Sequence, residues 1–192
     1  VGSGKVTPLS NGNYVVSSPQ WDNGVAVDAG AVTWGNGTTG TTGVVNISNS
    51  LVGSRTEDKV GYFVGKDDVV ALSNGNYVVR SPNWDNGIIV DAGAVTWGDG
   101  TSGVSGAVSA SNSLIGSQSN ERLGQIPLTL LSNGNYVVVD DAWNNGNAQG
   151  AGAVTWGDGS SGGLGNLLTS NSNVPVDVYG FPCGGGSSPS CG

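Results

Sequence analysis

The sequence predicts an all-β fold of three tandem four-stranded antiparallel units, like the blades of a β-propeller. Three observations predict it. A 27-residue segment, Leu9 to Gly35, returns at Leu72 to Gly98 with four differences, and at Leu131 to Gly157 as a more divergent copy. Glycine contributes 35 of 192 residues, and Gly, Asn, Ser and Thr alternate with Val, Ala and Trp, the composition of short strands joined by tight turns. No stretch carries a 3.6-residue apolar period of useful length, so essentially no helix is expected. A three-sheet prism or a stacked β array satisfies the same pattern.

Within a unit the elements follow in order. Val6 to Leu9 is a short apolar strand, matched by Val69 to Leu72 and Leu128 to Leu131. Ser-Asn-Gly-Asn then makes a turn, and Asn-Gly favours positive φ at both central positions of a type I′ hairpin. Tyr14-Val15-Val16 is the second strand, and Trp21-Asp22-Asn23-Gly24 the next turn. Gly30 to Trp34 is the third strand, with Val32 and Trp34 on one face and Ala31 and Thr33 on the other. Gly35-Asn36-Gly37 turns the chain, and Val44 to Ser48 is the fourth strand, followed by Leu51 to Gly53. Its second copy is Ala107 to Ser109 with Leu114 to Gly116.

The Trp spacings fix the units. Trp21 to Trp84 is 63 residues and Trp84 to Trp143 is 59. The units therefore span about 6–68, 69–127 and 128–181, one repeat domain over 1–181, with a Gly/Ser/Cys-rich tail at 182–192. A unit this small buries only ~60% of its unfolded surface, so its apolar faces need a neighbour. Trp34, Trp97 and Trp156, each 13 residues after another Trp, are the expected inter-repeat packing residues. In the third unit Asn147-Ala148-Gln149 replaces Val25-Ala26-Val27 and Ile88-Ile89-Val90, which reads as a polar end cap. Val1 to Gly4 resembles the junction at Val60-Gly61, which points to further repeats upstream.

Charge and composition narrow the function. The formal net charge is −8 and Lys plus Arg total 6, so no basic surface exists for nucleic acid or an anionic membrane. No apolar run approaches the ~20 residues of a spanning helix, so membrane insertion is not expected. The chain starts at Val and holds no Met, the mark of a processed chain or a piece of a longer one. Cys183 and Cys191 lie in the tail, and no His is present to complete a metal set with them. A local disulfide and an oxidising compartment are the better reading, with two free thiols the alternative.

The succession LSNGNYVV, SPxWDNG, GAVTWGxG and NSLxGS resembles an uncharacterised repeat of large secreted bacterial proteins of the adhesin-like, filamentous-haemagglutinin-like kind, over residues 1–180 or so. It is more distantly similar to the FG-GAP blades of integrin-type propellers, where a GAVY strand follows a calcium loop. A full Asp-x-Asx-x-Asp-Gly loop is missing here. The resemblance implies propeller-like blades and an extracellular or cell-surface role.

Candidate sites are few. Asp22, Asn23 and Asp28 recur as Asp85, Asn86 and Asp91, hard oxygen donors in a Gly-bearing turn. They suit calcium, or else they bond their own turn backbones. Trp21, Trp84 and Trp143 sit in those turns, where an indole can stack on a sugar ring, or else they pack. Without His, and with Cys only in the tail, the common nucleophile–base pairs are missing. Asp67/Asp68, Asp140/Asp141 and Glu57/Asp58 do not recur at equivalent positions, as catalytic carboxylates of a repeat would, and read as loop charge. The expectation is a non-catalytic extracellular structural or adhesive module with no required cofactor, whose partners are copies of itself or neighbouring repeats. Assembly into a ring or filament fits it. The alternative is a lectin with one shallow site per repeat.

Overall fold

The computed structural model describes residues 4–62 and 68–163. Over these the chain is all-β, with three sheets in tandem and no helix. The first repeat supplies β1 (Val6–Pro8), β2 (Tyr14–Ser18), β3 (Ala31–Gly35) and β4 (Ser50–Val52). The second supplies β5 (Val69–Ala71), β6 (Tyr77–Ser81), β7 (Ala94–Gly98), β8 (Gly106–Ala107) and β9 (Ser113–Ile115). The third supplies β10 (Thr129–Leu130), β11 (Tyr136–Asp140) and β12 (Ala153–Gly157). Strands β1 to β4, β5-β6-β7-β9 and β10 to β12 each form an antiparallel meander, with the same register in every copy: Tyr14 pairs Gly35, Tyr77 pairs Gly98 and Tyr136 pairs Gly157.

The SNGNYVV turn is not the expected type I′. The N–H of Gly12 donates to Leu9 O at 3.1 Å and that of Leu9 to Asn13 O at 2.8 Å, a three-residue loop. Gly12 has φ 88°, while Asn11 is not in the left-handed region. This is a type I turn closed by a left-handed glycine, and it leaves the asparagine side chains free to point along the repeat axis.

The fourth strand also differs from expectation. It is Ser50–Val52, not Val44 to Ser48, because Asn46 to Asn49 closes a turn in which Asn46 Oδ1 accepts the Ser48 N–H at 2.8 Å. The expected second copy at Ala107 turns out to serve the neighbour. Strand β8 pairs in parallel with β4 of the first repeat, Leu51 against Gly106. The expected fourth strand of the third repeat falls outside the described residues.

The sheets stack face to face, and the alternation of the strands explains how. Leu9, Val15, Val32, Leu51 and Val60 form one face of the first repeat. They pack on Tyr77, Val79, Trp84, Ala94 and Ile115 of the second. The second repeat then presents Leu72, Val78, Val95, Leu114 and Leu123, the equivalents of that first set. These meet Tyr136, Val138 and Ala153 of the third, with Trp143 partly buried beside them. Each fully buried Val or Leu contributes about 1.5–3 kcal/mol relative to exposure, so the two cores are the main bond between repeats.

The polar-cap reading of the third repeat does not hold. Val25 is 98% exposed and Ile88 93%, so the polar replacements at 147–149 alter a solvent-facing turn and no inter-repeat face. The stacking positions Leu131, Val137 and Val154 remain apolar and are only half-buried.

Candidate functional site

The most specific polar structure in the molecule lies where one repeat meets the next. Asn11 Nδ2, Asn13 Nδ2 and Trp34 Nε1 all donate to one acceptor, the backbone carbonyl of Gly100 in the second repeat, at 2.8, 2.8 and 2.9 Å. The two asparagines are oriented by their own repeat. Asn11 Oδ1 accepts the Asn13 N–H at 3.1 Å, and Asn13 Oδ1 accepts the Gly37 N–H at 3.0 Å. With their oxygens engaged inside the repeat, their amide donors face outward. Three N–H groups thus form a socket, and the Trp34 indole forms its wall.

The partner is a four-residue tongue, Gly100 to Gly103. Asp99 shapes it by accepting the Thr101 hydroxyl and the N–H groups of Thr101 and Ser102, and these bonds, the hydroxyl's first, hold its carboxyl below the usual carboxylate range. Glycine is required at both ends. A β-carbon on Gly100 would lie 1.7 Å from the carbonyl oxygen of Gly75, the turn glycine of its own hairpin. Gly103 has φ +81° and lies against the Trp34 side chain, where a β-carbon would come within 2.7 Å.

The second junction repeats this arrangement. Asn74 Nδ2, Asn76 Nδ2 and Trp97 Nε1 donate to the carbonyl of Gly159 at 2.8, 2.8 and 2.9 Å. A β-carbon on Gly162 would lie 2.5 Å from the Trp97 ring. Trp34 and Trp97 are therefore junction residues. Trp156 is not, being 43% exposed with no acceptor for its N–H among the described residues.

The turns after the second strand hold the other predicted residues. Asp22 Oδ1 accepts the Asp28 N–H and Asp85 Oδ1 the Asp91 N–H, both at 2.8 Å. Asn23 Nδ2 donates to Gly53 O and Asn86 Nδ2 to Gly116 O. Asp91 Oδ2 pairs with the Arg122 guanidinium at 2.8 Å. Asp22 and Asp85 thus close their own turns, Asn23 and Asn86 tie those turns to the glycine that follows the fourth strand, and Asp91 pairs with Arg122. Asp28 and Asp91 sit at φ 51° and 49°, and the third repeat places Gly150 there at φ 62°. That substitution keeps the backbone shape, as a left-handed position allows.

The three Trp residues proposed for sugar stacking are not equivalent. Trp84 is only 4% exposed, inside the first junction core, so both ring faces meet protein and the glycan reading does not apply to it. Trp143 packs on the second core, with its indole N–H buried. Trp21, in the first repeat, is half-buried. Cys183 and Cys191 lie outside the described residues.

A family model described as a repeat of unknown function (DUF5650) matches three times, at residues 8–62, 71–125 and 130–177. The chain belongs to this repeat family. No curated protein matches the chain.

The first DUF5650 repeat also lends a carboxylate to the second. Asp58 Oδ2 accepts the N–H groups of Ser54 and Arg55, and its Oδ1 accepts the Asp85 N–H across the first junction at 3.0 Å. Burial raises the Asp58 carboxyl above its ordinary value, against the pull of those three donors. The equivalent in the second repeat is Glu121, which accepts from Ser117 and Gln118 N–H through Oε2. Its Oε1 is buried without a donor, as is Asp140 Oδ2. Burial, and the neighbouring Glu121 after it, push the Asp140 carboxyl up to about 8. A proton kept on Asp140 would give this pair the donor that two carboxylates lack. The first two repeats carry Ser18 and Ser81 where the third carries Asp140.

The socket asparagines and the tongue glycines were not singled out from the sequence as functional. A signal for them existed. Asn133, Asn135, Trp156, Gly159 and Gly162 all persist in the third copy, where the solvent-facing 147–149 turn has changed.

Proposed function

We propose that the chain is a non-catalytic structural module of a secreted bacterial surface protein of the adhesin-like kind. Its repeats hold one another in a fixed order, and its acidic outer surface faces the medium. The observation that carries the reading is the convergence of three donors of one repeat on a single glycine carbonyl of the next, made twice from the same residues. Conserving such a device between repeats, rather than a cleft within one, suits a scaffold. The resemblance of LSNGNYVV and GAVTWGxG to adhesin-like repeats, and more distantly to FG-GAP blades, supports an extracellular place for it.

The test is a series of chains differing by whole repeats. Repeat arrays gain stability from each added neighbour interface, in a nearly linear way. Inserting a copy of residues 69–127 after residue 127 adds one complete junction. The urea midpoint and the m-value both increase if the repeats act as a scaffold built by stacking. An unchanged midpoint sinks the reading.

A further inference from the structure

The two ends of the described array carry the two halves of the junction. At the third repeat, Asn133 Oδ1 accepts the Asn135 N–H at 3.1 Å, and Asn135 Oδ1 accepts the Gly159 N–H at 3.0 Å. The socket is therefore oriented as in the first two repeats. Its three donors, Asn133 Nδ2, Asn135 Nδ2 and Trp156 Nε1, have no acceptor among the described residues. At the first repeat the tongue is already shaped, with Asn36 Oδ1 accepting the Thr38 and Thr39 N–H groups at 2.8 and 3.0 Å. Gly37 is exposed, whereas Gly100 and Gly159 are buried in their sockets. A β-carbon on Gly40 would meet nothing within 4 Å, whereas Gly103 and Gly162 lie against an indole.

The apolar faces show the same asymmetry. Tyr14 and Val16 are half-buried, while their equivalents Tyr77 and Val79 are completely enclosed by the first repeat. Between Tyr14, Val16, Thr33, Val45 and Asn49 lies a hollow of about 150 Å³. It occupies the side of the first sheet that, in the second sheet, receives the preceding repeat. At the other end, Val137 and Val154 are half-buried where Val15, Val32, Val78 and Val95 are fully buried.

We infer that the Asn133/Asn135/Trp156 socket binds the Gly37 carbonyl of a second copy of this chain, joining copies head to tail. The socket and tongue residues are those of the two interior junctions, and this identifies the occupant. It would bring Gly40 onto the Trp156 ring and seat the tongue glycine between the two asparagine amides. Such a contact is heterologous: each copy uses one surface to donate and another to accept, so assembly proceeds to a ring or an open filament. The inference rests on the structural-module reading and specifies its partner.

Two variants separate the halves. Asn133→Asp with Asn135→Asp keeps the oxygens that hold the local turn and removes the amide donors. Gly40→Asn puts a side chain where the Trp156 ring must lie, using a residue that tolerates a left-handed φ. Light scattering over a wide concentration range is expected to show wild-type mass growing in multiples of the monomer. Each variant alone stays monomeric with an unchanged circular dichroism spectrum. The two variants mixed give a one-to-one dimer, because each retains the half that the other lacks. A monomeric wild type, association that the variants leave untouched, or a mixture that stays monomeric would overturn the inference. None of these outcomes alters the repeat-insertion result, so failure here is distinguishable from failure of the scaffold reading.

Discussion

The indole N–H of Trp34 donates to the carbonyl of Gly100 at 2.9 Å, joining residues 66 apart in the chain. It shares that oxygen with the amides of Asn11 and Asn13. A carbonyl has two lone pairs, so three donors compete for it, and no single bond carries the junction. Trp34→Phe removes one donor and some ring contact. It is expected to cost about 1–2 kcal/mol in urea unfolding, and Trp97→Phe the same. Trp156→Phe is expected to stay within about 0.5 kcal/mol at concentrations where the chain is monomeric. Equal costs at all three positions would contradict the junction role.

The tongue glycines offer a second comparison within one molecule. Gly40 and Gly103 hold equivalent places with φ +72° and +81°, but only Gly103 lies against an indole. Alanine at either position bears the left-handed strain, about 1–2 kcal/mol. Gly103→Ala adds the displacement of Trp34, about 1–3 kcal/mol more of overpacking. The difference between the two midpoints isolates the packing part. No difference would mean that Trp34 yields freely.

Much of the fold was legible because it is local. The repeat, its strands and the shared face of Val32 and Trp34 follow from spacing and two-residue alternation. What escaped was non-local. The amide of Asn11 bonds an oxygen 89 residues away, in another repeat, and reading one unit at a time cannot reveal such an offset. The same holds for β8, which contains Ala107 yet completes the sheet of the preceding repeat. The turn type was missed for a subtler reason. Asn-Gly favours type I′ in isolation, but here Asn11 is held by its bonds to Asn13 and to Gly100, and only Gly12 turns left-handed. The 147–149 change misled because exposed Val25 and Ile88 look like core in the sequence.

Tryptophan exposure gives an optical readout. Trp84 is buried and Trp156 open, with the other four in between. Iodide is expected to quench Trp156 most strongly, and Trp156→Phe to remove the most quenchable part of the emission. If copies join head to tail, that component becomes protected as concentration rises. A quenching profile unchanged by Trp156→Phe would show that this indole is shielded.

The carboxyl pair at the second junction predicts a pH dependence with a definite sign. The Asp140 carboxyl, pushed up to about 8 by burial and by Glu121, stays protonated in the folded chain over a range where the unfolded chain has released its proton at about 3.9. A raised folded value means that the contribution is complete below the unfolded value and is lost as pH rises through about 8. Asp58, also raised by burial, acts in the same direction. Asp99 and Asp158, lowered by hydroxyl and backbone donors, act oppositely and only in acid. The melting temperature is therefore expected to fall between pH 5 and pH 9, with the third repeat loosening first. Asp140→Ser restores the residue that the first two repeats carry, and should flatten most of that slope. A wild-type melting temperature that rises over this interval, or a slope that Asp140→Ser leaves intact, would show that Glu121 and Asp140 do not share a proton.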